Sequence, residues 1–335
     1  MPRKRLVDID KAKGFAIFLV VLGHIISGGV PEGNDWFLTL HQAIYRFHMP
    51  LFMFLSGIIF YYTLTPFNNI DEYVAYIKKK AGRLLPGFFI IGFLVLLGKF
   101  IASRYIFVAR ADENIIMGVV NLFIDPADSA AGSLWYIYVL FEYYLLFPII
   151  LVLFKKNLYF VALFTLILYF IQAAYPITQY FLIERFMEHA FFFSLGFILI
   201  KHYESLTKII TKYAFIFLLL FIASFYTRNF IEGDYNGLII SIFSIPAIYV
   251  LVNFKFWGVG VENSLKVLSD YTFSIYLFNT IFMGLTKGIL FKFITWDGLN
   301  FLIFLPVLLF SGIFFSIWFQ KYILSRNAYL NKITK

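Results

Sequence analysis

A histidine interrupts one of the apolar runs of this 335-residue chain. His24 stands within the run AIFLVVLGHII, and Lys13 precedes it by eleven residues. If this region is helical, a turn of about 100° per residue brings Lys13 and His24 to nearly the same face, roughly 16 Å apart along the axis. An imidazole in such surroundings can act as a general base or as a nucleophile. The alternative is that His24 hydrogen-bonds a neighbouring helix while Lys13 anchors its own helix at a polar boundary.

Two more polar residues interrupt apolar runs at a comparable depth. Glu142 lies about nine residues from one end of its run, and Asn279 about eleven residues from an end of another. At a rise of about 1.5 Å per residue, both fall near the level of His24. A histidine, a carboxylate and an amide at one level can form a base with an orienting partner, which activates a hydroxyl nucleophile. Alternatively, each forms a separate interhelical hydrogen bond.

The run AIYRFHMPLFMFLSGIIFYYT carries Arg46 and His48 ahead of Pro50, and then Ser56. Proline cannot donate to the carbonyl of Arg46, so the helix should kink or begin anew there. Broken helices in membranes usually line a cavity. The other possibility is a kink that serves packing alone, with Arg46 extending to the polar boundary.

A basic cluster, KKKAGRLLP, precedes the next apolar run. Lys80 and Arg83 are three residues apart and share a helix face. Such clusters are common topology signals, but an ammonium and a guanidinium at a membrane boundary are also suited to binding phosphates.

The composition indicates which elements must position these residues. Hydrophobic residues make up 61% of the chain and charged residues 14%, against about 45–50% and 25% in soluble domains. The apolar residues form repeated runs close to the ~20 residues that one helical crossing needs. The predicted fold class is therefore all-α: a polytopic membrane protein with about ten transmembrane helices.

The pattern of charges predicts the topology. Most of the 28 Lys and Arg residues fall on the side of the N-terminus, which predicts that the N-terminus and C-terminus are both cytoplasmic. The first run is interpreted as a retained span, because no A-x-A-like cleavage site follows it. The short apolar segment 114–124 is expected to be a re-entrant or interfacial helix. The expected spans are 14–30, 43–62, 86–103, 133–154, 158–175, 187–202, 213–226, 236–253, 268–291 and 299–324.

Several chemistries are excluded by what the sequence lacks. Without cysteine, the chain has no disulfide, thiolate nucleophile or Cys-ligated metal. GxGxxG, Walker A, HExxH and GxSxG motifs are absent, and we expect no metal. The net charge of +9 is distributed between apolar runs, so we expect the lipid bilayer, and not a nucleic acid, as the partner of these basic residues.

Five motifs follow one another along the chain: DIDKAKGFAIFLVVLGH, FHMPLFMFLSG, KKKAGRLLP, SLWYIYVLFEYYLLFP and LSDYTFSIYLFNT. In this order and spacing they resemble the integral-membrane acyltransferase 3 family, most closely the branch associated with O-acetylation of sugars. The similarity runs from about Val7 to the last span. We therefore expect one membrane domain over residues 1–335, without a separate soluble domain.

The resemblance implies transfer of an acyl group, usually acetyl from acetyl-CoA, to a hydroxyl of a cell-envelope glycan or its lipid-linked precursor at a bacterial inner membrane. It implies His24 as the catalytic residue, with Glu142 as a second candidate. It also implies that Lys13, Lys80 and Arg83 bind acetyl-CoA. The residues expected at the substrate cavity are Arg46, His48, Ser56, Asn279 and Trp135, the last carried over as structural.

The chain departs from the family pattern at three positions. Lys80 stands where arginine is usual, which removes one bidentate phosphate contact. Asn279 stands where many relatives have a histidine, and an amide cannot act as a base. Glu142 is a single carboxylate, displaced by one residue from a pair that some branches carry.

Two other classes of function stay open at this point. A transporter or flippase for a glycan or lipid-linked sugar would use the polar residues as its pathway and would consume no acyl-CoA. A scaffold subunit would function unchanged with His24→Ala. For an acyltransferase, His24 acts either as a general base toward a bound acceptor or as a covalent acyl carrier.

Overall fold

The computed structural model describes residues 5–26, 29–104, 114–231 and 233–335. These ranges form α-helices and short 3₁₀ turns, and they contain no β-strand. The α-helices are α1 (Val7–Gly23), α2 (Asp35–Tyr45), α3 (His48–Thr63), α4 (Ile70–Ala102), α5 (Ile115–Ile124), α6 (Trp135–Leu153), α7 (Leu158–Ala174), α8 (Ile183–Lys201), α9 (Tyr203–Lys212), α10 (Ala214–Ser224), α11 (Gly233–Asn253), α12 (Val259–Asp270), α13 (Thr272–Leu290), α14 (Phe301–Tyr322) and α15 (Ala328–Thr334).

Six helical segments in the described ranges are long and apolar enough to cross a bilayer, or seven if α9 and α10, bent by 78°, form one broken span. The predicted all-α membrane fold is confirmed, whereas the count of ten is not. Helices α1 and α7 have only 17 residues each, and α8 carries Glu184, Arg185 and Glu188 near its start. Every predicted span nevertheless overlaps a helix.

The first predicted span, 14–30, was placed too far along the chain. Helix α1 begins at Val7 and ends at Gly23, so His24 is its C-cap residue rather than a residue within the span. A search for apolar runs does not detect the start of this helix, because its first turns contain the polar residues Asp8, Asp10 and Lys11. The structure pairs each of them with a partner on another element or on the preceding segment.

Helix α4 is also longer than the predicted span 86–103. Its 33 residues extend for about 50 Å, so the KKKAGR segment belongs to the helix rather than preceding it. Asn69 caps the helix by accepting the backbone N–H of Glu72 at 2.9 Å. The span was expected to begin at Pro86, where the apolar run starts, but Pro86 lies inside the helix.

The predicted break in the second span is confirmed. Helix α2 ends at Tyr45 and α3 begins at His48, which places Pro50 in the first turn of the new helix. The Arg46 carbonyl, which Pro50 cannot bond, accepts a hydrogen bond from Ser241 Oγ of α11 at 2.9 Å. Side chains of the bundle therefore satisfy the backbone groups that the break releases.

Glycines allow the central helices to approach closely. A Cβ at Gly57 of α3 would lie 1.9 Å from the Phe193 carbonyl oxygen of α8, and one at Gly196 of α8 would lie 2.5 Å from the Phe54 carbonyl oxygen. A Cβ at Gly14 of α1 would lie 1.9 Å from the Leu265 carbonyl oxygen of α12. Helix α1 also packs against α3, α11 and α13. Small residues at such crossings let backbones pack directly inside membranes.

The two ends of the described chain lie at the same end of the bundle. Arg5 donates to Asp270 at 2.6 Å, and Arg83 donates to the carbonyl of Lys335 at 3.2 Å. This arrangement agrees with termini on one side of the membrane, and their cytoplasmic location stays a prediction. Helix α5, with ten residues, is about 15 Å long and too short to cross the bilayer.

Candidate active site

The strongest agreement between sequence and structure is the contact between His24 and Asn279. Nδ1 of His24, at the end of α1, lies 2.9 Å from Oδ1 of Asn279 in α13. Asn279 is fully buried, while His24 is partly exposed. The two residues were expected at one depth, and the structure brings them into hydrogen-bonding contact.

The surroundings of Asn279 determine the tautomer of His24. Nδ2 of Asn279 donates to the carbonyls of Ile275 at 2.7 Å and Tyr276 at 2.9 Å. The amide oxygen therefore faces His24, and because this oxygen can only accept, Nδ1 of His24 must carry the proton. The lone pair of the neutral imidazole is then on Nε2, which makes no hydrogen bond with the described residues. This is the arrangement of a histidine base whose other ring nitrogen is held by a hydrogen bond.

A cavity of about 180 Å³ lies among α1, α3, α4, α6 and α13. All three residues predicted to bind the coenzyme, Lys13, Lys80 and Arg83, line it together with the predicted cavity residue Ser56. We call it the basic cavity. Its other lining residues include Tyr136, Tyr276 and Lys335. Tyr276 is three residues, or about 4.5 Å along α13, from Asn279, the partner of His24. Neither Asn279 nor His24 is among the lining residues of the basic cavity.

Helix periodicity explains which residues face the basic cavity. Phe52, Leu55, Ser56 and Ile59 of α3 line it, at the spacing of one helical stripe. On α6 the lining residues are Tyr136, Leu140 and Tyr144. Ser56 Oγ donates to the Phe52 carbonyl at 2.8 Å and lies 2.7 Å from the Tyr136 hydroxyl. Because a serine hydroxyl has one proton, Tyr136 is the donor in the second bond.

Glu142 does not join this site. It is two residues beyond Leu140, and a turn of about 200° directs it away from the cavity-lining stripe of α6. Its Oε2 atom is buried without a hydrogen-bond partner among the described residues. Sequence spacing predicts only the depth of a residue, and the direction of the Glu142 side chain follows from the rotation of α6.

The charges around the basic cavity favour an anion. Lys13, Lys80, Arg83 and Lys335 line it, and Asp270 is the single acidic residue among its lining residues in the described ranges. Asp270 is already paired with Arg5. An anionic group with several phosphates would therefore meet an excess of positive charge.

Polar contacts also hold the start of α1 in place. Asp8 accepts hydrogen bonds from the hydroxyls of Tyr203 and of Tyr249, the latter at 2.6 Å. Lys11 donates to Glu262 of α12 at 2.8 Å, and this bond holds the pKa of the Glu262 carboxyl below its ordinary value. The helix that carries Lys13 and His24 is thus fixed against α9, α11 and α12.

A second cavity, of about 500 Å³, lies among α2, α3, α7, α8 and α11. Basic, acidic and aromatic groups alternate around it, so we call it the mixed-charge cavity. Its lining residues include Gln42, Arg46, Tyr169, Glu188, Arg228 and Asp234. Tyr45 also lines it, and the Tyr45 hydroxyl donates to the carbonyl of Gly23 at 3.4 Å. His24 lines neither cavity, but it follows Gly23, and its partner Asn279 is three residues from the basic-cavity residue Tyr276.

The remaining predicted residues have different positions. Arg46 lines the mixed-charge cavity and donates to the Gly233 carbonyl at 3.2 Å. His48 is buried and donates from Nδ1 to the Ile44 carbonyl at 2.9 Å, so it stabilises the α2–α3 break. Trp135 packs edge-on against His189, with 5.2 Å between ring centroids. Neither His48 nor Trp135 is among the lining residues of the two cavities.

Sequence reasoning missed several residues of these cavities. Tyr136 and Tyr276 are two of 23 tyrosines and carry no signal that separates them from packing residues. Glu188 lies in the polar start of α8, four residues from Phe192, and both line the mixed-charge cavity. Residues four apart share a helix face, and a carboxylate on one face with an aromatic residue could have identified Glu188 from the sequence. Lys335 lies outside every predicted span and gave no signal.

Comparison with known proteins identifies the family of this chain. The model of the acyltransferase 3 family, described as an acyltransferase domain, matches residues 6–321. The nodulation protein NolL of Mesorhizobium japonicum is 44% identical over 55 residues, which is 16% of this chain and 15% of that protein. The nodulation protein NolL of Sinorhizobium fredii is 46% identical over 55 residues, with the same coverage. No solved structure matches the chain.

The family match includes α1 through α13, all but the last residue of α14, His24, and the lining residues of both cavities except Lys335. The resemblance inferred from five motifs is thus confirmed over nearly the whole sequence. The chain belongs to the acyltransferase 3 family and is a multi-pass membrane acyltransferase.

Proposed function

We propose that this protein transfers an acetyl or other short acyl group from acyl-CoA to a hydroxyl of a cell-surface glycan or its lipid-linked precursor. The observation that carries the proposal is the position of His24. Its Nε2 lone pair is oriented by the bond between Nδ1 and Asn279. The preceding residue, Gly23, bonds Tyr45 of the mixed-charge cavity, and Asn279 lies about one helical turn from Tyr276 of the basic cavity. We place the protein in the bacterial inner membrane, with acyl-CoA entering from the cytoplasm.

The basic cavity suits the acyl donor. Coenzyme A carries a diphosphate and a further phosphate, for which ammonium and guanidinium groups are suitable partners. Lys13, Lys80 and Arg83 would bind these phosphates near the end of the bundle that holds Arg5 and Lys335. The cavity volume of about 180 Å³ suits a narrow pantetheine arm rather than a nucleotide. The arm would bring the thioester toward Tyr276 and His24.

The mixed-charge cavity suits the acceptor. Donors such as Arg46 and Gln42 alternate there with acceptors such as Asp234, and Tyr169 and Phe192 provide aromatic surface. A saccharide presents hydroxyls that both donate and accept, together with apolar C–H surface. Charged groups of both signs and aromatic rings match this surface better than they match an apolar or singly charged ligand.

The reaction balances with His24 as general base. Nε2 takes the proton of the acceptor hydroxyl as its oxygen attacks the thioester carbonyl carbon. The C–S bond breaks, and the coenzyme A thiolate receives that proton from Nε2. In the alternative relay, Nε2 itself attacks the thioester carbonyl carbon, the C–S bond breaks and coenzyme A leaves as the thiolate. The acceptor hydroxyl then attacks the acyl-imidazole, the C–N bond breaks, and the released Nε2 takes the hydroxyl proton and passes it to the thiolate.

The test is transfer of radiolabel from [¹⁴C]acetyl-CoA into the glycan fraction by membranes containing the protein and its native acceptor pool. Label should appear with the wild type and be lost with His24→Ala at equal expression. His202→Ala is the matched control, because His202 bonds Tyr159 at the end of α8 and lines neither cavity. Equal labelling by His24→Ala would refute the assigned base. No labelling by the wild type with acetyl-CoA or other short acyl-CoAs would favour the transporter.

Incubation without acceptor separates the two chemical routes. Labelled acetyl on His24 would establish the covalent relay, which also predicts ping-pong kinetics. Unlabelled protein together with a ternary complex would establish the general-base route.

A further inference from the structure

The segment from Asn327 onward folds back onto the bundle. Ile333 and Thr334 at the end of α15 are 1% and 3% exposed. The Thr334 hydroxyl donates to Oε1 of the buried Gln320 at 2.7 Å, and Nε2 of Gln320 donates to Oδ1 of Asn331 at 2.9 Å. Buried polar groups that are mutually satisfied specify one position for the segment.

Two helices that line the basic cavity hold this segment. Ser274 Oγ of α13 donates to the Thr334 carbonyl at 2.5 Å. On α4, a Cβ at Gly87 would lie 2.7 Å from the Ile333 carbonyl oxygen, so the glycine provides space for the backbone of the segment. Helix α15 is therefore attached beside the cavity rather than free in solution.

The end of the segment enters the basic cavity. The carbonyl of Lys335 accepts a hydrogen bond from Nη2 of Arg83 at 3.2 Å. A guanidinium has five N–H donors, so this bond orients Arg83 and leaves other donors for a ligand. The Lys335 side chain lines the cavity, with its ammonium 5.9 Å from the centroid of Tyr271.

Lys80, by comparison, is closely associated with aromatic rings. Its ammonium lies 4.2 Å from the centroid of Tyr144 and 5.4 Å from that of Tyr76. Such cation–π contacts hold a cation in place. Among the described residues, the Lys335 ammonium makes the longer contact with Tyr271, and Lys335 is exposed.

We propose that the segment ending at Lys335 completes the acyl-donor site. The backbone oxygen of Lys335 positions Arg83, and the side-chain ammonium of Lys335 binds a phosphate of the coenzyme A nucleotide. This inference rests on the proposed function in that acyl-CoA is taken to occupy the basic cavity. It adds a phosphate-binding residue that lies beyond residue 321, where the family match ends.

The experiment measures equilibrium binding of labelled acetyl-CoA and of acetyl-pantetheine, which lacks the nucleotide phosphates, to the purified full chain. Lys335→Ala should weaken acetyl-CoA binding about tenfold, as expected for loss of one charge-assisted contact. Acetyl-pantetheine binding should not change. Lys335→Arg should restore most of the affinity. Lys332→Ala is the matched control, because Lys332 is exposed on α15, three residues before Lys335, and does not line the cavity.

Three results would overturn the inference. Unchanged acetyl-CoA binding by Lys335→Ala would exclude a phosphate contact. An equal loss for both ligands would show a structural effect of the segment rather than a contact with the nucleotide. Failure of the wild type to bind acetyl-CoA would refute the donor site of the proposed function itself, and the inference with it.

Discussion

Replacement of Asn279 by alanine tests the proposed chemistry most directly. Asn279 lines neither cavity, so its loss removes no contact with a ligand there. The carbonyls of Ile275 and Tyr276 keep their positions in the helical hydrogen-bond ladder of α13. The group that loses its partner is Nδ1 of His24.

The expected magnitude follows from that single bond. A neutral hydrogen bond contributes about 1 kcal/mol net, and about 1.4 kcal/mol corresponds to a tenfold change in rate. The released imidazole can also rotate or move its proton to Nε2, which removes the basic lone pair from the reacting side. We therefore expect kcat to fall about tenfold, with little change in the KM for acyl-CoA. His24→Ala should cost more, about 10²–10⁴-fold, because it removes the base itself.

The assay is initial-rate acyl transfer by purified protein in lipid, over a range of acyl-CoA concentrations. Asn236→Ala is the matched control, because Asn236 is also fully buried but donates to Thr227 Oγ1 at 2.7 Å, away from His24. Wild-type kcat in Asn279→Ala would refute the orienting role. An equal loss in Asn236→Ala would show that the effect comes from general destabilisation.

Three further outcomes follow from the structure. Gly57→Ala should lower the free energy of unfolding by about 3 kcal/mol, because the new Cβ would meet a backbone oxygen of α8. Gly284→Ala is the control, since a Cβ there lies in open space and should raise thermal stability slightly. Equal shifts of Tm in the two variants would contradict the α3–α8 crossing. Glu142→Gln should leave kcat within about twofold and should not lower Tm, because the carboxyl that it replaces with an amide of the same shape lines neither cavity and its buried Oε2 has no hydrogen-bond partner among the described residues. A loss of activity comparable to His24→Ala would place Glu142 in the chemistry. Lys11 lowers the pKa of the Glu262 carboxyl. This contact should therefore stabilise the fold at pH values above 4.5, the ordinary pKa of the group, and the stabilisation should be lost as the pH falls through the lower pKa of the folded state. Glu262→Gln should reduce this acid dependence of Tm.

The sequence pattern predicted the helices better than their ends. Long apolar runs identify helices because lipid requires every backbone group to be bonded within its own segment. Helix ends in this protein are polar, as in Val7–Gly23 and Ile70–Ala102, and a search for apolar runs misses them. The break before Pro50 was predictable because proline lacks an N–H, whereas its satisfaction by Ser241 required knowledge of which helix lies alongside.

The candidate site was predictable in part for a similar reason. Asn279 and His24 were expected at one depth, since the rise per residue converts sequence position into depth. Depth alone did not distinguish Asn279 from Glu142, because the direction of a side chain depends on how its helix is rotated in the bundle. Asn279 was dismissed as a base, and the structure gives it the role of orienting one.

By itself, the sequence determined that this protein is an all-α membrane protein, that a few polar residues occupy apolar helices, and that its motifs are those of an acyltransferase family. These properties depend on the composition, on the spacing of apolar and polar residues, and on the order of the motifs, all of which can be read along the chain. Only the tertiary structure decided that Lys13, Lys80, Arg83 and Lys335 share one cavity, that Glu142 faces away, and that an amide fixes the tautomer of His24. Those relations depend on the rotation and crossing of helices distant in sequence, which close packing at glycines such as Gly57 and Gly14 fixes.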